Sequence, residues 1–194
     1  QVEHEALMTL LAAQAGIATD DVVTAGATVR NDAVLVLRRS SHPVVPPNRL
    51  TDDDHVHSHH FSDDEVAERL RELWDLVETI HCSGIAHGQL DEERITLTDG
   101  RFGLVDFRGA TVAPTPAQLH TDSVQMLVTT TGLFGLDTAL AALITNRTDS
   151  EIEAMLPYVQ STTLTAGQRR MCRVLDVDLD DLRTDLAAMA GLEA

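Results

Sequence analysis

The residues whose chemistry follows most directly from type and spacing are four histidines in an acidic loop. They come after three consecutive aspartates, and the set is His55, His57, His59 and His60. Alternating imidazoles beside carboxylates could bind Zn²⁺ or Ni²⁺. A solvated loop that binds no physiological metal has the same composition, because nothing in this spacing fixes a tetrahedral geometry. Residues 40–61 also contain three prolines and no apolar periodicity, so we predict an exposed loop.

A second candidate is a carboxylate at the far end of a predicted β-hairpin. A polar loop that opens with His87 runs into a β-branched stretch at 95–97, an Asp-Gly turn at 99–100 and an apolar stretch at 102–105. Two such runs joined by Asp-Gly predict a pair of antiparallel strands. The second strand would deliver Asp106.

The order of these residues resembles the catalytic loop and metal-binding segment of the protein-kinase-like superfamily. In that family His-(Arg or Gly)-Asp, four further residues and an Asn precede a hairpin that ends in Asp-Phe-Gly. On this sequence His87 matches the family's His, while Gln89 stands at the catalytic Asp and Arg94 at the metal-binding Asn. Asp106 keeps the metal-binding Asp, and Arg108 replaces the Gly.

These departures imply a loss of phosphoryl transfer. A kinase base accepts the proton of the attacking hydroxyl, while the Asp and the Asn hold two Mg²⁺ ions. The amide of Gln89 cannot accept that proton, and the fixed positive charge of Arg94 opposes the second metal ion. We therefore expect no catalytic residue among the degenerate positions His87, Gln89 and Arg94, and no cofactor, unless Asp106 retains Mg²⁺ or ATP. An ordinary hairpin with an accidental Asp-Phe dipeptide is the alternative interpretation.

Composition limits the classes of partner. The chain has 194 residues, 43% hydrophobic and 3% aromatic, which predicts a core built mainly from aliphatic side chains. Its net charge of −17 repels nucleic-acid phosphate and anionic lipid headgroups, so we predict no nucleic-acid partner. All 14 basic residues are arginines, and the strand lysine of kinase-like proteins therefore has no equivalent. Two isolated cysteines fit a reducing compartment.

The first part of the chain is predicted to contain one helix and two or three antiparallel strands. Apolar residues recur at helical spacing over 2–14, with Glu3 and Glu5 at the positive end of the helix dipole. Strand-like segments follow at 22–25 and 33–37. The resemblance implies that Glu5, or else Glu3, is the family's ion-pairing helix Glu. With no lysine to meet, either charge could equally be a favourable helix-start acid.

The rest of the chain is predicted to be helical apart from the hairpin. Ser62-Asp63-Asp64-Glu65 reads as a capping box that starts a helix through His81. Residues 124–145 are apolar enough to raise the question of a membrane span, but Gly132 and Gly135 indicate two core helices instead. Periodicity predicts three more helices, at 149–159, 165–175 and 179–190.

Asp122 is a candidate structural residue. Two prolines interrupt the segment before it, and we predict a helix over 121–131 that begins beside Asp122. In the kinase-like family a buried Asp at this place accepts hydrogen bonds from the catalytic-loop backbone, and the resemblance implies the same role here. An acid that only stabilises a helix N-terminus is the alternative.

The resemblance implies an α+β, protein-kinase-like fold. Residues 1–39 would be the remnant of a truncated N-lobe, made of the helix and its strands. Residues 40–61 would be the exposed loop of His, Asp and Pro. Residues 62–194 would be a mostly helical C-lobe that contains the short β-hairpin of the catalytic-loop region.

We expect a catalytically inactive kinase-like domain, a pseudokinase, that serves as a binding or regulatory module. Loss of a general base costs about 10²- to 10⁴-fold in rate, and loss of electrostatic stabilisation costs a similar factor. A phosphotransferase that keeps Asp106 for metal and moves its base to Asp91 or Glu92 is the alternative, and a scaffold with no remaining pocket is a third. In an inactive domain, Arg94 or Arg108 could pair with Asp106 in place of the metal ion.

The run from residue 2 to the helical tail also resembles the soluble kinase-like portion of some bacterial multi-pass membrane proteins, including those with flippase-like or lysylphosphatidylglycerol-synthase-like regions. That resemblance implies a parent polypeptide with a transmembrane region, an unidentified protein partner and a cytoplasmic location. The chain begins with Gln1 and shows no signal peptide, which predicts a piece of a longer protein.

Overall fold

A computed structural model describes residues 1–39, 42–43, 63–98 and 100–191. The four-histidine loop and Ser62 of the predicted capping box lie outside the described residues. Within these ranges the chain combines a helical majority with small antiparallel sheets. The predicted α+β class is therefore confirmed, while the division into three segments stays a prediction.

The helices and strands that the sequence predicts occur in the predicted order, and three two-residue strands were not predicted, one of them inside the segment 40–61 that was predicted as a loop. The helices are α1 Val2–Gln14, α2 Asp63–Cys82, α3 Pro116–Phe134, α4 Leu136–Asn146, α5 Asp149–Met155, α6 Ala166–Val174 and α7 Leu179–Met189. The strands are β1 Asp21–Ala27, β2 Ala33–Arg38, β3 His42–Pro43, β4 Ile85–Ala86, β5 Ile95–Thr98, β6 Arg101–Leu104 and β7 Thr111–Val112. Short 3₁₀ turns cover Phe107–Gly109 and Leu156–Tyr158.

The N-terminal helix and hairpin lie where the sequence predicts them. α1 has its predicted bounds and buries Ala6, Met8 and Ala12. β1 and β2 pair antiparallel, and each strand is slightly longer than its apolar run. Asn31 in the connecting turn has a φ of 64°, a left-handed conformation that Asn tolerates better than most residues.

Gly103 on β6 fixes how the segment after α1 meets the central hairpin. The backbone N–H of Leu104 donates to the carbonyl oxygen of Ala18 at 2.9 Å, and Ala18 and Gly103 form a parallel bridge. A Cβ added at Gly103 would lie 2.2 Å from the Ala18 oxygen. Only a residue without a side chain allows this close approach.

α2 carries the apolar face that its spacing predicts. Its core residues are each at most 1% exposed, and they are Leu70, Leu73, Trp74, Val77 and Ile80. Full burial of one such side chain contributes about 1.5–3 kcal/mol to folding. This face packs on α3, α4 and the hairpin strand β6, so α2 supports the loop that follows it.

The helix that carries Asp122 begins earlier than the sequence analysis predicts. α3 runs from Pro116 to Phe134 rather than over 121–131, so that prediction was wrong at both ends. Thr115 is the N-cap: its hydroxyl accepts from the N–H of Gln118, and its own N–H donates to Gln118 Oε1 at 2.8 Å. Pro116 occupies the first helical position, where no N–H is required, so this proline starts the helix instead of breaking it.

The two glycines in the apolar stretch 124–145 have different roles. Gly135, with a φ of 90°, separates α3 from α4 as predicted. Gly132 does not break the helix; it lies inside α3, where an added Cβ would be 1.9 Å from Met171 Sδ. Gly132 therefore allows α6 to pack closely on α3. None of the helices in the described ranges combines the length and apolarity that a membrane crossing requires.

Candidate functional site

Asp122 holds the polar loop that precedes the hairpin. Its side chain is fully buried. Oδ2 accepts from the backbone N–H of His87 at 2.7 Å, and Oδ1 accepts from that of Gly88 at 2.7 Å. His81 Nε2 lies 3.2 Å from Oδ2. Because α3 starts at Pro116, Asp122 lies in the second turn, and its contacts are to the loop rather than to the end of its own helix.

Three further polar residues brace the same loop, and sequence analysis missed them. The N–H of Leu90 donates to Gln125 Oε1 at 2.7 Å. The Thr129 hydroxyl and Gln168 Nε2 both donate to the Leu90 carbonyl oxygen, at 2.7 and 3.0 Å. Asp122, Gln125 and Thr129 share one face of α3, because residues three and seven positions apart align on a helix. That polar stripe in an apolar helix was the available signal.

His87 is a buried packing residue. It is 0% exposed, and its ring lies 4.9 Å from that of Phe107. Nε2 donates to the Val105 carbonyl oxygen at 3.1 Å and Nδ1 accepts from the N–H of Gln89 at 3.3 Å. Burial lowers the pKa of His87, although the negative charge of Asp122 opposes this effect. A neutral imidazole has one donor and one acceptor nitrogen, and both are used here.

Asp106 follows β6 and is held by two guanidinium groups. Arg108 Nη2 donates to Oδ2 at 2.6 Å and its Nε donates to Oδ1. Arg94 Nη2 lies 3.2 Å from Oδ2. The hydrogen bond from Arg108, together with the charges of Arg108 and Arg94, lowers the pKa of the Asp106 carboxyl although its partial burial opposes this. Asp106 has a φ of 64°, a left-handed conformation that is uncommon for residues other than Gly.

Arg94 connects Asp106 to a second carboxylate, Asp91. Arg94 Nη1 donates to both carboxylate oxygens of Asp91, at 2.7 and 2.9 Å. Burial alone would lower the pKa of Arg94, but the hydrogen bonds and charges of Asp91 and Asp106 raise it. The Arg94 side chain is only 17% exposed. Asp106 and Asp91 therefore share one permanent positive charge that is largely withdrawn from solvent.

Glu5 on α1 faces the same group of charges. Burial and the negative charge of Asp106 raise the pKa of Glu5, while Arg108 lowers it. His4 Nε2 contacts the Ala110 carbonyl oxygen at 2.8 Å, which ties α1 to the segment after Asp106. Glu3 is exposed, so Glu5 is the acid that the structure brings to this cluster.

Gln89, the residue at the position of the family's base, lies against Gly109. A Cβ added to Gly109 would be 3.3 Å from Gln89 Cγ, so the amide side chain packs over the turn that contains Arg108. A polar cleft of about 540 Å³ lies beside this loop, and its lining includes Gln89, Glu92, Arg94, Gln125 and Arg170. The loop is therefore open to a ligand on this side.

The donor set around Asp106 does not fit a Mg²⁺ ion. Mg²⁺ prefers oxygen ligands in octahedral geometry. Both oxygens of Asp106 are instead engaged by guanidinium groups. Within the described part of the chain, no group of three or more His, Cys, Asp or Glu side chains could hold a metal ion.

No protein-family model matches the sequence, and no curated protein matches it. Among solved structures the chain is similar to vaccinia related kinase 3, with 14% identity and a TM-score of 0.44 over 96% of this chain and 73% of that chain. The helical majority and small antiparallel sheets are consistent with a truncated kinase-like α+β fold.

Proposed function

We propose that this chain is a catalytically inactive, kinase-like domain that acts as a binding or regulatory module. The observation that carries the proposal is the pairing of Asp106 with both Arg94 and Arg108. Phosphoryl transfer requires a cation at this carboxylate to bridge the nucleotide phosphates. Two fixed positive charges at hydrogen-bonding distance compete directly with such an ion.

The absence of a suitable base supports the same proposal. Gln89 is an amide and accepts no proton at neutral pH. Asp91, one of the two acids that could replace it, is 7% exposed and forms a two-pronged contact with Arg94. A proton acceptor at Asp91 would have to give up this charge-assisted pair.

In this proposal the two guanidinium groups replace the metal ion as the partner of Asp106. The loop and the hairpin end are then held together by side chains of the chain itself. If no metal ion or nucleotide binds at Asp106, neither ligand changes the stability of the fold, because a ligand stabilises a protein only by binding its native state.

Thermal unfolding with and without Mg²⁺ and ATP tests the proposal. We expect the same unfolding temperature for the wild type in both conditions. The double variant Arg94→Asn/Arg108→Gly, which restores the family's residues, should unfold at a lower temperature and gain a Mg²⁺-dependent shift with ATP. Arg173→Asn removes an exposed arginine on α6 and is the matched control, for which we expect no gain. A Mg²⁺-ATP shift in the wild type would contradict the proposal.

A phosphotransferase with Glu92 as its base is the second candidate. The polar cleft that Glu92 and Gln89 line is the observation that favours it. Incubation with radiolabelled ATP and either Mg²⁺ or Mn²⁺ distinguishes the two functions. Phosphate transfer by the wild type that disappears in Asp106→Asn would establish the enzyme and exclude the inactive domain.

We also propose that the domain is the cytosolic part of a larger, membrane-anchored bacterial protein. The support is the sequence resemblance to soluble kinase-like portions of multi-pass proteins. An antibody raised against this chain should detect the natural gene product in the membrane fraction of the source cells, at a mass well above 21.1 kDa. Recovery of this larger product in the soluble fraction instead of the membrane fraction would contradict this part of the proposal.

A further inference from the structure

A second groove lies between the junction of α3 and α4, the loop that connects α6 to α7, and the first turns of α7. Its volume is about 600 Å³. None of the charged residues grouped around Asp106, namely Glu5, Arg94 and Arg108, lines this groove. Its apolar lining consists of Leu133, Leu136, Leu175, Val177 and Leu182. Leu175 is 38% exposed, and the neighbouring Val174 is 77% exposed. The groove therefore offers accessible aliphatic surface.

Four exposed aspartates surround this apolar floor: Asp176, Asp178, Asp181 and Asp185. The last three share one face of α7 with the buried Leu182, because they are spaced three, four and seven positions apart. No arginine is among the described residues that line the groove. By contrast, Asp180 on another face of α7 pairs with Arg183 at 2.8 Å.

Support of the fold accounts for three of these four aspartates but not for Asp185. Asp178 is the N-cap of α7 and accepts from the N–H of Asp180 at 2.7 Å, and Asp181 lies in the favourable first turn. Asp185 lies beyond that turn and repels Asp181 across one helical turn, which destabilises a helix. Asp176 has a φ of 54° and precedes the cap. That left-handed conformation is one that Asp tolerates better than most residues, so Asp185 is the one aspartate of the four without a structural benefit.

The end of α3 adds to the negative potential. Thr131, Gly132 and Leu133 form one wall of the groove, and they belong to the last turn of a helix of 19 residues. The C-terminal end of a helix is the negative end of its dipole. The groove therefore combines an apolar floor with negative charge from two different sources.

We propose that this groove docks a basic amphipathic segment of a protein partner. Aliphatic side chains of the segment cover the exposed Leu175 and the half-buried Leu136 and Val177, and flanking lysines or arginines pair with the aspartates. A second copy of the chain is a poor occupant, because it would bring a net charge of −17 to an acidic rim. The described residues of the groove also form no group that could hold a metal ion.

Fluorescence anisotropy with the full 194-residue chain tests this proposal. The probe is a labelled synthetic peptide with leucines at helical i, i+3, i+4 and i+7 spacing and lysines elsewhere, at physiological salt. The groove variant is Asp176→Asn/Asp181→Asn/Asp185→Asn, which keeps the cap Asp178. We expect its dissociation constant to rise about tenfold, since each exposed ion pair contributes modestly to binding.

A charge-matched control separates the groove from the overall charge of the protein. Glu3→Gln/Asp64→Asn/Asp75→Asn removes the same number of charges from exposed positions on α1 and α2, and we expect a change below about twofold. Leu175→Ser should weaken binding, and a peptide with serine in place of leucine should not bind. Equal weakening by the groove variant and the control would overturn the proposal.

Two other outcomes would also overturn it. A rise of the unfolding temperature with Ca²⁺ that the groove variant abolishes, with no peptide binding, would identify a cation site. A dimer in sedimentation equilibrium that Leu175→Ser dissociates would identify a second copy as the occupant. Each outcome leaves the assignment of Asp106 untouched, since that assignment is tested with nucleotide.

Discussion

Asp122 and Asp106 carry the same functional group and contact the start and the end of one loop, but their partners differ in kind. Asp122 accepts hydrogen bonds from two backbone N–H groups, which exist whatever side chains the loop carries. Asp106 is held by two arginine side chains, which this particular sequence supplies. The start of the loop is therefore held by contacts that do not depend on its side chains, whereas its end depends on two particular arginines.

Substitution of Asp122 should have the largest effect. Asp122→Ala leaves the buried N–H groups of His87 and Gly88 without an acceptor, and we expect a loss of about 3–5 kcal/mol of unfolding free energy. Urea unfolding followed by circular dichroism measures this loss. Asp149→Ala, at an exposed position on α5, is the control. A loss below about 1 kcal/mol would remove the contrast between the two carboxylates.

Asp106→Asn should have an intermediate effect. The variant removes the charge that Arg94 and Arg108 share, and the partly buried Arg94 keeps Asp91 as a partner. We expect a loss of about 1–2 kcal/mol at neutral pH, measured by the same urea unfolding. A loss as large as that of Asp122→Ala would mean that the arginine pairs, rather than the loop scaffold, dominate the stability of this region.

The difference in unfolding free energy between the wild type and Asp106→Asn should become smaller only at acidic pH. The pKa of Asp106 is lowered from its ordinary 3.8 in the folded protein, so its charge stabilises the fold above that value. The stabilisation is lost as the pH falls through the lowered pKa. Urea unfolding of both proteins between pH 7 and pH 3 should therefore show a constant difference that narrows only below about pH 4. A difference in unfolding free energy that already becomes smaller near pH 6 would contradict the assignment of the pH dependence to the Asp106 carboxyl.

Glu5→Gln should have the smallest effect, and of opposite sign. Burial and the charge of Asp106 raise the pKa of Glu5, so its ionised form is disfavoured in the folded protein at neutral pH. Because Glu5 is partly exposed, solvent screening leaves a gain of only a few tenths of a kcal/mol. Differential scanning calorimetry should show a slightly higher unfolding temperature. A lower temperature would indicate that Glu5 pairs productively with Arg108.

The sequence predicted the positions of the elements better than the polar contacts between them. The spacing of Leu70, Trp74 and Val77 was enough to place α2 and its buried face. The polar stripe that includes Gln125 was visible in the sequence, but the partners of Gln125 and Gln168 were not, because the donor and acceptor that they satisfy belong to the Leu90 backbone far along the chain. Backbone groups carry no sequence signal, so only the three-dimensional arrangement shows which amides they need.

Residue type alone also predicted two helix breaks that the structure does not show. Pro116 and Gly132 both predict a break, because proline lacks an N–H and glycine is flexible. Pro116 instead begins α3, and Gly132 lies against Met171. Whether such a residue interrupts a helix depends on its place in the helix and on what packs there. Neither fact can be read from the residue type alone.

The close approach of Gly103 to Ala18 restricts the substitutions that position 103 can accept. Any side chain at position 103 would displace the Ala18 carbonyl, and the segment that carries Ala18 continues directly from α1, where Glu5 faces Asp106 and Arg108. A substitution at Gly103 would thus shift α1, and with it the position of Glu5 relative to Asp106 and Arg108. A variant in which Arg94 and Arg108 are replaced so that Asp106 can accept a metal ion would still need this glycine.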